Sequence, residues 1–208
     1  MMKNYIINVL LEEKLIVVLR NIEDKYIDQV VESLKSGGGR LFEITLDNER
    51  AFEKIERLSK DKDLFVGAGT VIDNISCKMA IDSGAKFIVT PVVNMKVIDI
   101  CKSYGVPAII GAMTPTEIFQ AYKAGADIVK VFPAGNLGSS YIKNLRGPLT
   151  QIPIMVTGGI NSSNIVEFKK QGVEMFGIGS SLVSEQTIYE GNFKKLEEEM
   201  DKYIQLIR

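Results

Sequence analysis

Ala124-Gly125-Ala126-Asp127-Ile128-Val129-Lys130-Val131-Phe132-Pro133 joins a glycine to an apolar run that carries a single lysine. Glycine after a helical stretch is the usual left-handed stop, because it has no Cβ to clash at positive φ. The run from Ile128 is apolar at five of six positions and rich in β-branched residues. That composition predicts a strand buried on both faces, as in a parallel sheet.

The same unit recurs along the chain. Ser36-Gly37-Gly38-Gly39 precedes Leu41-Phe42-Glu43-Ile44, and Ser83-Gly84-Ala85 precedes Phe87-Ile88-Val89. Tyr104-Gly105-Val106 precedes Ala108-Ile109-Ile110, and Gln171-Gly172-Val173 precedes Met175-Phe176-Gly177-Ile178. Gly84 to Gly105 is 21 residues and Gly105 to Gly125 is 20, whereas Gly37 to Gly84 and Gly125 to Gly172 are both 47. Each long gap is about two short periods and hides one more strand: Leu64-Phe65-Val66 in the first and Ile154-Met155-Val156 in the second. Leu15-Ile16-Val17-Val18-Leu19 makes the eighth. Eight βα units without a linker predict an α/β fold, one closed (β/α)8 TIM barrel domain over residues 1–208. An open doubly wound sheet is disfavoured because no G-x-G-x-x-G follows the first strand. Met1 to Leu11 reads as an amphipathic helix ahead of the barrel, too short to span a bilayer and without a cleavage site.

Composition narrows the chemistry. Hydrophobic residues make up 46% of the chain, enough for a large core, and the net charge of −1 gives no attraction to nucleic acid or to an anionic membrane. There is no histidine, which excludes a Ser-His-Asp triad, a Cys-His pair and a His-ligated zinc. Cys77 and Cys101 form no C-x-x-C and read as packed thiols of a cytoplasmic protein.

Lys130 sits in mid-strand. An ammonium buried without a partner is costly, so such a lysine loses its proton or finds a counter-charge. Desolvated and neutral, it is a nucleophile able to form a Schiff base with a carbonyl. The bland alternative is a strand-end lysine that snorkels to water. Glu43 poses the same question on another strand, where Leu41, Glu43 and Thr45 share one face. The two are either a structural ion pair or a nucleophile with its acid–base partner.

Barrel chemistry gathers at the C-terminal strand ends. Strand 1 ends in Arg20, an anion clamp or the first solvated loop residue. Strand 3 ends in Gly67-Ala68-Gly69-Thr70, where the Thr70 hydroxyl either bonds a carboxylate or caps a helix. Strand 4 ends in Thr90-Pro91, and Thr114-Pro115 after strand 5 is a plain helix start. Thr157-Gly158-Gly159-Ile160-Asn161 and Gly177-Ile178-Gly179-Ser180-Ser181 close strands 7 and 8, where such barrels bind phosphate on backbone N–H groups.

In this order these motifs resemble the class I aldolases that cleave 2-dehydro-3-deoxy-6-phosphogluconate and 4-hydroxy-2-oxoglutarate. The matching set is Val18-Leu19-Arg20, Glu43-Ile44-Thr45, Gly67-Ala68-Gly69-Thr70, Thr90-Pro91, Thr114-Pro115-Thr116-Glu117, Lys130-Val131-Phe132-Pro133, Thr157-Gly158-Gly159 and Gly179-Ser180. It spans about Leu15 to Val183. The resemblance implies that Lys130 forms the Schiff base and Glu43 moves protons. Thr70, Pro91, Phe132 and Thr157 would contact the substrate, while Gly158, Gly159, Gly179 and Ser180 would hold its phosphate. It also implies a small 2-oxo acid substrate, a homotrimer, and no metal or cofactor. Asp47 stands where some members carry an arginine for the pyruvate carboxylate, and would repel that group. Other members place an arginine at the end of strand 1, so the carboxylate falls to Arg20. Three alternatives accompany this reading: an aldolase for the galactonate epimer, an isomerase or epimerase without a covalent intermediate, and a sugar-phosphate binder without turnover.

Overall fold

The computed structural model describes residues 2–208. The chain opens with α1 (Met2–Glu13), β1 (Leu15–Leu19), α2 (Asp24–Ser36), β2 (Leu41–Thr45) and α3 (Arg50–Leu58). It continues through β3 (Phe65–Gly69), α4 (Asn74–Asp82), β4 (Ile88–Val89), α5 (Met95–Tyr104), β5 (Ala108–Ala112) and α6 (Pro115–Ala124). After β6 (Ile128–Val131) come two short helices, α7 (Ala134–Leu137) and α8 (Ser139–Arg146), and then β7 (Ile154–Thr157) and α9 (Ile165–Lys169). β8 (Met175–Ile178), α10 (Glu185–Tyr189) and α11 (Phe193–Ile207) end it. All strands run parallel, and β8 pairs with β1 through Leu15↔Phe176 to close the ring. This is the (β/α)8 barrel expected from the glycine spacing.

Alternation along each strand sorts the side chains. Val17, Phe42, Val66, Val129, Val131 and Phe176 pack outward against the helices. Ile16, Leu41, Phe65, Phe87, Ile109, Ile128, Met155 and Met175 point inward and fill the lower barrel. Helix α1 closes that end by setting Ile6, Val9 and Leu10 beneath this layer. Leu10 is fully buried, which contributes about 1.5–3 kcal/mol.

Two residues further along each strand, the inward positions change character. They are Glu43 on β2, Gly67 on β3, Gly111 on β5, Lys130 on β6, Thr157 on β7 and Gly177 on β8. A Cβ on Gly67 would meet the Phe87 ring at 2.2 Å, and one on Gly111 would meet the Pro91 backbone at 2.3 Å. Glycine at three inward positions admits close neighbours, with Met155 and Thr157 crowding Gly177, and the other three positions carry polar side chains.

The helix starts on this face are capped locally. Asp73 accepts from the Ile75 and Ser76 N–H groups, both at 2.8 Å, to start α4. This removes the N-cap alternative for Thr70. Thr114 and Glu117 form a reciprocal capping box on α6, as the Thr-Pro start predicted. Gly84, Gly105, Gly125 and Gly172 have the expected positive φ, but after α2 it is Gly38 (φ 92°), not Gly37 (φ −76°), that turns left-handed. Gly37 is a glycine for another reason: a Cβ there would lie 2.4 Å from the Glu197 carbonyl of α11.

Candidate active site

A cavity of about 600 Å³ opens at the C-terminal end of the barrel. Its wall contains every residue to which the resemblance gave a catalytic or binding role: Lys130, Glu43, Arg20, Thr70, Pro91, Phe132, Thr157, Gly158, Gly159, Gly179 and Ser180. Val18 of the strand 1 motif, and Ile160, Asn161, Gly177 and Ser181 of the two glycine-rich turns, also line it. Sequence reasoning missed Asn21, Ile22, Val183 and Glu185. Glu185 sits in the first turn of α10 and carried no signal beyond an ordinary helix start.

Lys130 and Glu43 come from β6 and β2, four strands apart in the ring of eight, so they face each other across the barrel. Lys130 is 7% exposed and Glu43 1%. Lys130 does not snorkel. Among the described residues no ion pair within 4 Å joins the two, and Glu43 Oε2 has no hydrogen-bond partner. Burial pushes the Lys130 amine below the ordinary lysine value; Glu43 opposes that shift and Arg20 adds to it. Burial pushes the Glu43 carboxyl above the ordinary carboxylate value, with Lys130 and then Arg20 opposing and Asp47 reinforcing. Each group is thus driven toward its neutral form, which suits an amine for attack and a carboxyl for carrying a proton. The Phe132 ring centroid lies 5.3 Å from Lys130 Nζ, so the aromatic face screens the amine from bulk water.

Glu43 lies directly over Gly69. A Cβ at that position would be 1.9 Å from Glu43 Oε1, so only glycine lets the carboxyl occupy its place. Thr157 is buried, and its hydroxyl donates to the Gly177 carbonyl at 2.9 Å, leaving the oxygen lone pairs for another donor.

Arg20 begins the loop after β1. Its Nη2 donates to Thr70 Oγ1 at 3.0 Å and its Nη1 stands 3.4 Å from Asp47 Oδ1. Thr70 and Asn21 both adopt positive φ, 59° and 53°. For a β-branched threonine this is a strained backbone, costing on the order of 1–3 kcal/mol. Asp47 does not line the main cavity; beside Arg20, it faces a small recess with Ile27, Ile44 and Ala51.

On the opposite rim, Gly158 and Gly159 have φ of 80° and 77°. The Gly158 carbonyl accepts from the Gly135 N–H at 2.7 Å, and the Gly159 carbonyl accepts from the Asn164 amide at 2.8 Å. The Ser181 hydroxyl donates to the Ile160 carbonyl at 2.8 Å and ties the two loops together. Among the described residues, the N–H groups of Gly159, Ser180 and Ser181 find no protein acceptor. Free N–H groups on the turns after β7 and β8 are donors of the kind that suits a phosphate.

Known proteins resemble this chain along nearly its whole length. A family model described as KDPG and KHG aldolase matches residues 6–199. The 2-dehydro-3-deoxy-phosphogluconate aldolase of Treponema pallidum is 32% identical over 194 residues, 92% of this chain and 91% of that protein. A probable 2-dehydro-3-deoxy-6-phosphogalactonate aldolase of Rhizobium meliloti is 34% identical over 175 residues, covering 83% and 82%. The solved structure of KDPG aldolase from Legionella pneumophila, with pyruvate captured as a covalent carbinolamine, superimposes with a TM-score of 0.87 at 28% identity. That match covers 94% of this chain and 96% of that one. The ordered motifs, the closed barrel and the family match across residues 6–199 agree: this chain belongs to the KDPG and KHG aldolase family.

Proposed function

We propose that this protein is a class I aldolase that cleaves a 2-oxo-3-deoxy sugar acid phosphate, or 4-hydroxy-2-oxoglutarate, to pyruvate and an aldehyde through a Schiff base on Lys130. The observation that carries this reading is the buried amine facing a buried carboxyl across one cavity, with neither spent on a protein partner. Membership in an aldolase family favours it over the epimerase and the non-catalytic binder.

Neutral Lys130 adds to the C2 carbonyl, and water leaves to give an iminium. Glu43 takes the C4 hydroxyl proton as the C3–C4 bond breaks. The bonding pair moves into the iminium and forms an enamine, while the C4 fragment departs as an aldehyde. Glu43 returns the proton to C3, and hydrolysis frees pyruvate and Lys130. Arg20 holds the C1 carboxylate, with Thr70, Pro91, Phe132 and Thr157 lining the pyruvate end. Gly158, Gly159, Gly179 and Ser180 receive the phosphate. Such a site asks for no metal or cofactor.

Relatives named for the gluconate and galactonate substrates are 32% and 34% identical, so likeness alone does not select the epimer. Measuring kcat/KM for both phosphorylated epimers and for 4-hydroxy-2-oxoglutarate decides it, and pyruvate release from none of the three would sink the aldolase reading. The phosphate grip makes a sharper prediction. Gly159→Ala, at a positive-φ turn, should lower kcat/KM for phosphorylated substrates about tenfold or more, yet leave iminium formation with pyruvate unchanged. Equal loss for pyruvate would move the phosphate elsewhere.

The proposal includes a homotrimer, working in the cytoplasm as one barrel domain. Ile72, Ile75, Met79, Val92, Met95, Met113 and Phe119 are exposed apolar residues on, or just before, the consecutive helices α4, α5 and α6. So much apolar surface on one side suits an interface between copies. Sedimentation should give three chains per particle; a monomer at micromolar concentration would contradict this. Among the described residues, no helix is long and apolar enough to cross a membrane.

A further inference from the structure

We propose that Asp47 is a positioning residue for the carboxylate grip, holding the Arg20 guanidinium in its working orientation from outside the cavity. The inference rests on the reading of Arg20 given above and goes beyond it. The Arg20 side chain is 56% exposed, so on its own it would sample many rotamers. Asp47 is only 17% exposed and is itself fixed. Its Oδ2 accepts from the Asn21 N–H at 3.0 Å and from the Thr45 hydroxyl, while its Oδ1 faces Arg20 Nη1. The second edge of the fork is tied to Thr70. Two of the fork's N–H groups are thus committed to protein acceptors, and the others remain for a ligand.

Two effects of Asp47 on a bound carboxylate oppose each other. Its negative charge repels the ligand at long range, and its bond to Arg20 removes the cost of ordering that side chain. Arg20 lines the cavity and Asp47 does not, so the nearer positive charge of the guanidinium offsets a repulsion that reaches as far as Glu43. Ordering one rotamer-rich side chain in advance is worth about two- to tenfold in affinity. The ordering effect therefore wins.

The test compares Asp47→Asn, Asp47→Glu, Arg20→Met and the Asp47→Asn/Arg20→Met double variant in steady-state cleavage of the preferred aldol. Asparagine keeps the shape and can still accept the Asn21 N–H, so thermal melts should stay close to the parent. Asp47→Asn should raise KM about two- to tenfold with kcat held within about twofold, and Asp47→Glu should recover part of the loss. In the Arg20→Met background the same change should have no effect. A lower KM in Asp47→Asn would show that repulsion dominates and would overturn the proposal. So would an equal KM increase with and without Arg20. If Arg20→Met alone leaves KM unchanged, the assignment of Arg20 is what fails, and the single variant reports that independently of Asp47.

Discussion

Lys130→Met is expected to lower kcat for aldol cleavage by roughly 10⁴-fold or more, because no other group can supply the covalent electron sink. Methionine fills a similar volume and removes a buried amine that has no contact partner, so the barrel should remain folded. The pH dependence is part of the same prediction. Free-enzyme attack needs the neutral amine, and burial holds the Lys130 value below the ordinary 10.5. Iminium formation should therefore rise with pH and level off below the range where an exposed lysine titrates. A plateau reached only near that ordinary value would mean the amine is solvated, and the covalent role would lose its physical basis.

Glu43→Gln should lower kcat about 10²–10⁴-fold, the usual contribution of a positioned acid–base group. To accept the C4 hydroxyl proton, Glu43 must be ionised, and burial raises its value above the ordinary 4.5. Activity should thus climb with pH through a limb lying above the carboxylate range, and that limb should vanish in Glu43→Gln. Gly69→Ala should reproduce much of the loss without touching either ionisable group, since the new Cβ displaces the carboxyl. Circular dichroism and melting curves separate this from unfolding. A Glu43→Gln enzyme within tenfold of the parent would assign the proton transfers to water or another residue.

The barrel was legible because its punctuation is backbone chemistry. Positive-φ stops after helices recur at a fixed spacing whatever the side chains do, and β1 and β8 match their sequence-predicted bounds. β4 is shorter than Phe87-Ile88-Val89 suggested: the ladder takes in only Ile88 and Val89, and Phe87 instead turns its ring into the lower barrel core. The inward pair Glu43 and Lys130 was visible from two-residue alternation. What the sequence did not disclose depends on register. Arg20 and Asp47 are 27 positions apart, and they meet because Val18 pairs with Glu43 and Leu19 with Ile44, which sets the two strand ends side by side. Read along the chain, Asp47 was a misplaced charge; across the ladder, it is the anchor of its neighbour. The left-handed turn at Thr70 was likewise hidden, because β-branched residues rarely adopt it and no local pattern announces it.

Incubation with pyruvate and sodium borohydride, followed by peptide mass mapping, tests the Schiff-base chemistry most directly. A reduced pyruvyl group on Lys130 and on no other lysine is expected at neutral pH, with loss of activity in proportion to labelling. Full turnover in the presence of borohydride, or a label on a different lysine, would contradict it.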